Sequence, residues 1–313
     1  MSDSISFRSL LLAGAAFCAA VGPLQAQVRP LHTRDLTRLG QPQVTEYLKR
    51  SDVIFIPVGA VEANGNAPSN RDYITPLAWA MAAAEANNAL FMPGLMWSYP
   101  GTTMVASGTV SITPTQGIDF LRATAESLLR QGFRRQIYFS ASHGPAPLTL
   151  GLLAREFYDK YRVPIMYVDI GEKIGALGVP AEARNRVAYG VRSMTGTLID
   201  MPLRGDYGPA AAPATPAPPN TGLQKLTSLG FAGSLRLGSW INDDMAHGGG
   251  GGGNLPATAA EREAWGKEGE AQIRALIKMI KFPEVIAALK EHDEYTNKVL
   301  GPKFDHILPP AAR

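Results

Sequence analysis

Apolar residues run unbroken through Val53-Ile54-Phe55-Ile56-Pro57-Val58, and shorter runs of the same kind recur at Leu90-Phe91-Met92-Pro93, Gln136-Ile137-Tyr138-Phe139-Ser140 and Pro164-Ile165-Met166-Tyr167-Val168. A strand with water on one face alternates apolar and polar residues. One covered on both faces does not, so these runs predict strands of a parallel sheet buried between helices. The intervening segments carry the helical period. A short helix passes through Val44 to Leu48, and Thr75 caps a second that Pro76 opens and that continues to about Ala86. Ile118, Leu121, Ala125, Leu128 and Leu129 line one face of a third, Gly117–Gln131, with Gly132 as its C-cap. A fourth runs from about Pro147 to Tyr161, and Ala259–Ile280 is a long amphipathic helix. Strand, loop and helix alternate, which predicts the α/β class with a largely parallel sheet.

Other stretches are less regular. Ala181–Leu203 fits neither period. Residues 208–220 form a Pro/Ala-rich excursion, read as an extended loop within one domain spanning residues 27–313. Six glycines, Gly248 to Gly253, follow His247, and such a run makes neither a stable helix nor a well-packed strand. The tail after Pro283 reads as a docked helix and a loose Pro-rich end.

Composition narrows the class. The 313 residues are 45% hydrophobic and 18% charged, enough to bury a sizeable core. A net charge of +3 without a long basic run excludes tracking of a nucleic-acid backbone, and no glycine-rich phosphate loop follows any predicted strand. Arg8 precedes the apolar stretch Leu10 to Ala20, which is too short to span a bilayer and suits a signal peptide of residues 1–26 cleaved after Ala26. A lipoprotein attached through Cys18 is the weaker reading because bulky Phe17 precedes it, and an uncleaved anchor is the other. Cleavage implies a periplasmic or secreted chain, off the membrane. Cys18 is the only cysteine, so that mature chain has no thiol and no disulfide.

The candidate chemistry sits where the strands end. Ligands of open α/β sheets bind beyond the carboxyl ends of the strands. Glu62 and Asp72 follow the first strand and His143 follows Ser140, so all three can converge there. Two carboxylates and an imidazole with positions left open suit one Zn²⁺ or Mn²⁺ ion, which would lower the pKa of bound water and polarise a carbonyl. Polar residues at strand ends are also common without any such role. His32 reads as a surface histidine.

These residues carry a resemblance. Phe55-Ile56-Pro57-Val58-Gly59-Ala60-Val61-Glu62-Ala63-Asn64-Gly65 resembles the creatininase (creatinine amidohydrolase) family pattern P-x-G-S-x-E-Q-H-G, which is followed by a metal-binding Asp, here Asp72. Ser107-Gly108-Thr109-Val110-Ser111-Ile112 is similar to the family's P-G-T-I-S-L. Gly132-Phe133-Arg134-Arg135 through Ser142-His143-Gly144 is similar to its G-F-R-x-I-x-x-x-N-G-H-G, and Pro256-Ala257-Thr258-Ala259 to its late P-x-x-A-T stretch. The resemblance implies a three-layer α/β/α fold, a small-molecule substrate and a ring-like homo-oligomer, often a hexamer. It also implies two divalent ions, and there this chain departs. Asn64 stands where the second-site histidine belongs, Pro145 where creatininase has a glutamate ligand, and Ala188 to Thr195 lacks the glutamates and histidine of H-A-G-E-x-E-T-S.

What remains, Glu62, Asp72 and His143, corresponds to one complete metal site. The expectation is therefore an exported hydrolase that opens a small cyclic amide or related ring through one ion, with Glu62 also a candidate base. Asn64 would orient substrate and His247 would serve as acid or base. The alternatives are lyase or isomerase chemistry on a cyclic ketone or lactone, and a binding protein without turnover.

Overall fold

The computed structural model describes residues 31–62, 68–96, 108–110, 112–141, 149–206, 225, 228–230 and 255–307. Its strands are β1 (Val53–Pro57), β2 (Leu90–Phe91), β3 (Arg135–Ser140) and β4 (Met166–Asp169), all parallel, in the order β2-β1-β3-β4. Phe55 lies opposite both Phe91 and Ile137, and Ser140 lies opposite Asp169. The described helices that cover the sheet are α1 (Gln41–Leu48), α2 (Arg71–Ala86), α3 (Pro114–Gln131), α4 (Gly151–Tyr161), α5 (Ile170–Ala176), α6 (Ala181–Met194), α7 (Ala259–Ile280) and α8 (Phe282–Tyr295).

The strands are apolar throughout because both faces are covered. Val53, Phe55, Ile137, Phe139 and Val168 pack into a core with Trp79 of α2, Val187 and Val191 of α6, Ile273 of α7 and Phe282. On the other face Ile54, Ile56 and Tyr138 meet Tyr47 of α1, Leu121 and Leu128 of α3, and Phe157 of α4. The three-layer α/β/α expectation holds. The phenyl rings of Phe55, Phe139 and Phe282 close into a trio with centroids 5.2 to 5.9 Å apart.

Several boundaries differ from the sequence expectation. Helix α2 starts at Arg71, and Pro76 lies inside it; Thr75 is no cap, since its hydroxyl bonds back to the Arg71 carbonyl at 2.9 Å. Helix α3 starts three residues earlier than Gly117, because Thr113 and Gln116 form a capping box around Pro114. The ambiguous Ala181–Leu203 segment is α6 followed by a short 3₁₀ turn, Leu198–Asp200. Its period is blurred because two faces are used. Val187 and Val191 enter the sheet core, while Gly190 lies on Gly269 of α7 so tightly that a β-carbon at Gly190 would stand 2.1 Å from the Gly269 carbonyl carbon.

Helix α7 occupies the predicted span, capped by Thr258. Helix α8 is docked by Asp293, which accepts hydrogen bonds from Arg134 at 2.6 and 2.7 Å and lies 3.3 Å from Arg135. The expectations for residues 1–26, 208–220 and 248–253 and for the Pro-rich end at 308–313 lie outside the described residues.

Candidate functional site

The site is assembled by the way β1 ends. Val58 N–H donates to the Phe139 carbonyl at 2.9 Å, and Gly59 N–H donates to the Leu95 carbonyl at 3.0 Å, so the chain leaves the sheet under control. At Gly59 it crosses the first turn of α2. A β-carbon there would sit 2.3 Å from the Asp72 carbonyl oxygen and 2.4 Å from Tyr73 Cα, distances no real side chain shows, so this crossing requires glycine. Three residues on, Glu62 N–H donates to the Ser69 carbonyl at 2.9 Å, and the Val61 carbonyl accepts from Val110 N–H at 3.0 Å.

These contacts place the Glu62 backbone beside the turn that carries Asp72. Glu62 is only 8% exposed, unusual for a glutamate. Asp72 is half-buried in the first turn of α2. Tyr73, next in sequence, accepts a 2.7 Å hydrogen bond from Gly94 N–H, and burial pushes its phenol up, so it stays neutral.

The structure thus sets the backbone at Glu62 beside the turn that leads into Asp72 at the carboxyl edge. Asn64, His143 and His247 lie outside the described residues; β3, which delivers its end to the same edge beside β1, is described as far as Ala141. Two hard oxygen donors, one of them buried, fit the carboxylate half of a Zn or Mn site. Among the described residues no third ligand joins them.

Three further buried polar residues were missed by the sequence reading. Ser140 and Asp169 end β3 and β4 side by side, 3% and 8% exposed, and Asp169 caps α5 by accepting from Glu172 N–H at 3.0 Å. The signal for Asp169 was available as an aspartate closing an apolar run just before a helix. Arg192 of α6 is 3% exposed, and its Nη2 lies 3.4 Å from Oδ1 of Asn70, which precedes α2. A cavity of about 530 Å³ opens elsewhere, between Arg34, Phe91, Met81, Met194 and Arg274, and neither Glu62 nor Asp72 lines it.

The fold defines the class: a parallel α/β/α protein whose candidate carboxylates follow the carboxyl edge of its sheet. The chain belongs to the creatininase family, whose model, described as creatinine amidohydrolase, matches residues 37–197, just over half of it. It is 28% identical over 130 residues to a 3-dehydro-scyllo-inosose hydrolase of Thermotoga maritima, a match spanning 41% of this chain and 41% of that protein. The fold is similar to that of a crystalline creatininase (TM-score 0.50, 16% identity, 80% of this chain and 98% of the other). A creatininase described with Mn gives a TM-score of 0.50 at 16% identity, covering 79% and 98%. A Bacteroides fragilis NCTC 9343 protein of the creatinine amidohydrolase type gives 0.53 at 17%, covering 84% and 98%. These low identities mark a divergent member.

Proposed function

We propose that this protein is a hydrolase that opens a small ring compound with the help of one divalent ion, Zn or Mn, held by Glu62, Asp72 and His143. The observation that carries the reading is the Gly59 crossing, which seats the chain leading to Glu62 against the turn bearing Asp72. A divalent ion there supplies Lewis-acid polarisation and a more acidic water. The chain's own contribution is two carboxylates on rigid elements: Glu62 anchored through Ser69, and Asp72 within a helical turn. In this reading His143 completes the ligand set, Asn64 orients the ring, and His247 moves a proton.

The substrate class follows from the relative and the departures together. The Thermotoga maritima protein is named as a hydrolase of an inosose, a carbocyclic polyhydroxy ketone. The residues at Asn64, Pro145 and Ala188 to Thr195 depart from the two-ion pattern that the family resemblance implies. We therefore place a cyclic ketone ahead of a cyclic amide. We further take the chain to be exported, on its N-terminal segment, and to work as a homo-oligomer; sequencing of the mature N-terminus and light scattering test those two points.

The deciding experiment is metal analysis of residues 27–313 combined with two assays. About one equivalent of Mn or Zn is expected, lost in Asp72→Ala and His143→Ala. Turnover of 3-dehydro-scyllo-inosose and none of creatinine is expected in the same preparation. A protein that takes up no divalent ion under any loading, or that hydrolyses creatinine, overturns the reading.

A further inference from the structure

The cavity of about 530 Å³ beside β2 lies apart from Glu62 and Asp72 and has an apolar side and a polar one. Leu77 and Met81, one turn apart on α2, form the apolar side with Phe91 of β2 and Met194 of α6. Leu77, Met81 and Met194 pack against the sheet core yet are only partly buried, so apolar surface is left for an occupant. Arg34 supplies the polar side. Its backbone is pinned to the sheet edge: its carbonyl accepts from Phe91 N–H at 2.9 Å, and Asp35 forms a parallel bridge with Phe91. Its Nη1 is shut off from solvent and meets no acceptor among the described residues.

Most other charges on the lining are engaged. Arg274 pairs with Glu85, Asp35 accepts from the N–H and hydroxyl of Thr37 at 2.9 and 2.7 Å, and Glu270 accepts from the Ser193 hydroxyl at 2.6 Å. Arg34, Arg38 and Arg274 balance Asp35, Glu85 and Glu270 in formal charge, so the lining builds no field suited to a polyanion. What it lacks is one acceptor at Arg34. A guanidinium N–H that neither water nor the chain satisfies calls for a partner, and a carboxylate matches its planar fork. We propose that the cavity is a second ligand site, taking a small amphipathic monocarboxylate whose carboxylate meets Arg34 and whose hydrocarbon part lies on Met81, Phe91 and Met194. Its volume falls in the ordinary range for small-ligand pockets. This site needs no metal ion and stands whether or not the one-ion reading does.

The test is calorimetric titration with octanoate, which joins one carboxylate to a hydrocarbon chain, and with octanol and acetate, which each keep one half of it. EDTA is present throughout, so that no metal ion recruits the carboxylate. One saturable octanoate site is expected, with octanol and acetate each binding at least about tenfold more weakly. Arg34→Gln is expected to weaken octanoate at least about tenfold, because a charge-assisted hydrogen bond is lost. No saturable octanoate binding, octanol or acetate binding as tightly as octanoate, or unchanged octanoate affinity in Arg34→Gln overturns the proposal. If Arg34→Gln does not fold, the comparison of the three probes on the parent protein decides alone.

Discussion

Gly59→Ala is the sharpest probe of how the site is built. The added methyl would stand 2.3, 2.4 and 2.7 Å from three atoms of the Asp72–Tyr73 backbone, and ordinary contact begins near 3.4 Å. No flexible side chain can yield, so α2 or the end of β1 must move by about 1 Å. Overpacking of this kind destabilises by roughly 1–3 kcal/mol, and a displacement of that size at a reacting centre lowers rates about 100-fold. The expected result is a lower urea midpoint at an unchanged denaturant slope, with Mn²⁺ affinity falling in parallel because Asp72 has shifted relative to Glu62. Gly175→Ala is the control: it lies within α5 with nothing inside 4 Å of the new methyl, so it should be neutral or stabilise by up to about 1 kcal/mol. If Gly59→Ala matched Gly175→Ala in stability and metal affinity, the contact would not be what sets the site.

Other outcomes follow from the same coordinates. Gly269→Ala would place a methyl 1.9 Å from the Arg186 carbonyl oxygen, so α6 and α7 must separate; a loss of about 1–3 kcal/mol in chemical denaturation is expected. Asp293→Ala removes both hydrogen bonds from Arg134 and so loosens the docking of α8, while Arg135 keeps Asp52 as its partner; a loss of about 1.5–3 kcal/mol should appear in the same assay. The hydrogen bond from Lys160, 2.8 Å away, holds the Glu126 carboxyl below the usual glutamate range. Its contribution to stability is therefore complete above the ordinary glutamate pKa and is lost as pH falls through the lowered value; Glu126→Gln should flatten the acid limb of a stability–pH curve and leave neutral pH nearly unchanged.

Much of the fold was legible because burial on both faces leaves an unmistakable mark. The four apolar runs became the four strands, and α7 took the span its periodicity and Thr258 cap announce. Boundaries failed where one residue served two signals. Thr113-Pro114-Thr115-Gln116 is a complete helix start, but the apolar face begins only at Gly117 and Ile118, which drew the expected boundary inward. The site was half legible. Glu62 and Asp72 were readable as polar residues after a strand, and the backbone at Glu62 lies beside the turn that leads into Asp72. Arg192 was not, because nothing in α6 taken alone says which of its faces meets α2. That fact belongs to the packing of Gly190 on Gly269.

Pro76 shows why a reliable local signal gave the wrong start for α2. Proline favours the first turn, where its missing N–H is not needed. Here it is the sixth residue of the helix, and the bond it forfeits is the one to the carbonyl of Asp72, four residues earlier. Its ring also crowds that carbonyl, and the Asp72 oxygen is the atom nearest to the position a side chain at Gly59 would take. Proline and glycine therefore meet at one carbonyl from two sides: one offers it no N–H, the other leaves room for it. Pro76→Ala restores an N–H within reach. The propensity gain of up to about 3 kcal/mol is offset by the lost burial of the ring and a less restricted unfolded chain, so a net stabilisation near 1 kcal/mol is expected. Metal affinity should fall nonetheless, as the carbonyl returns to the ladder and the turn carrying Asp72 draws back from Gly59. A Pro76→Ala protein that is less stable than the parent, or equal to it in Mn²⁺ affinity, would mean that the proline is only tolerated and that Gly59 alone places the turn.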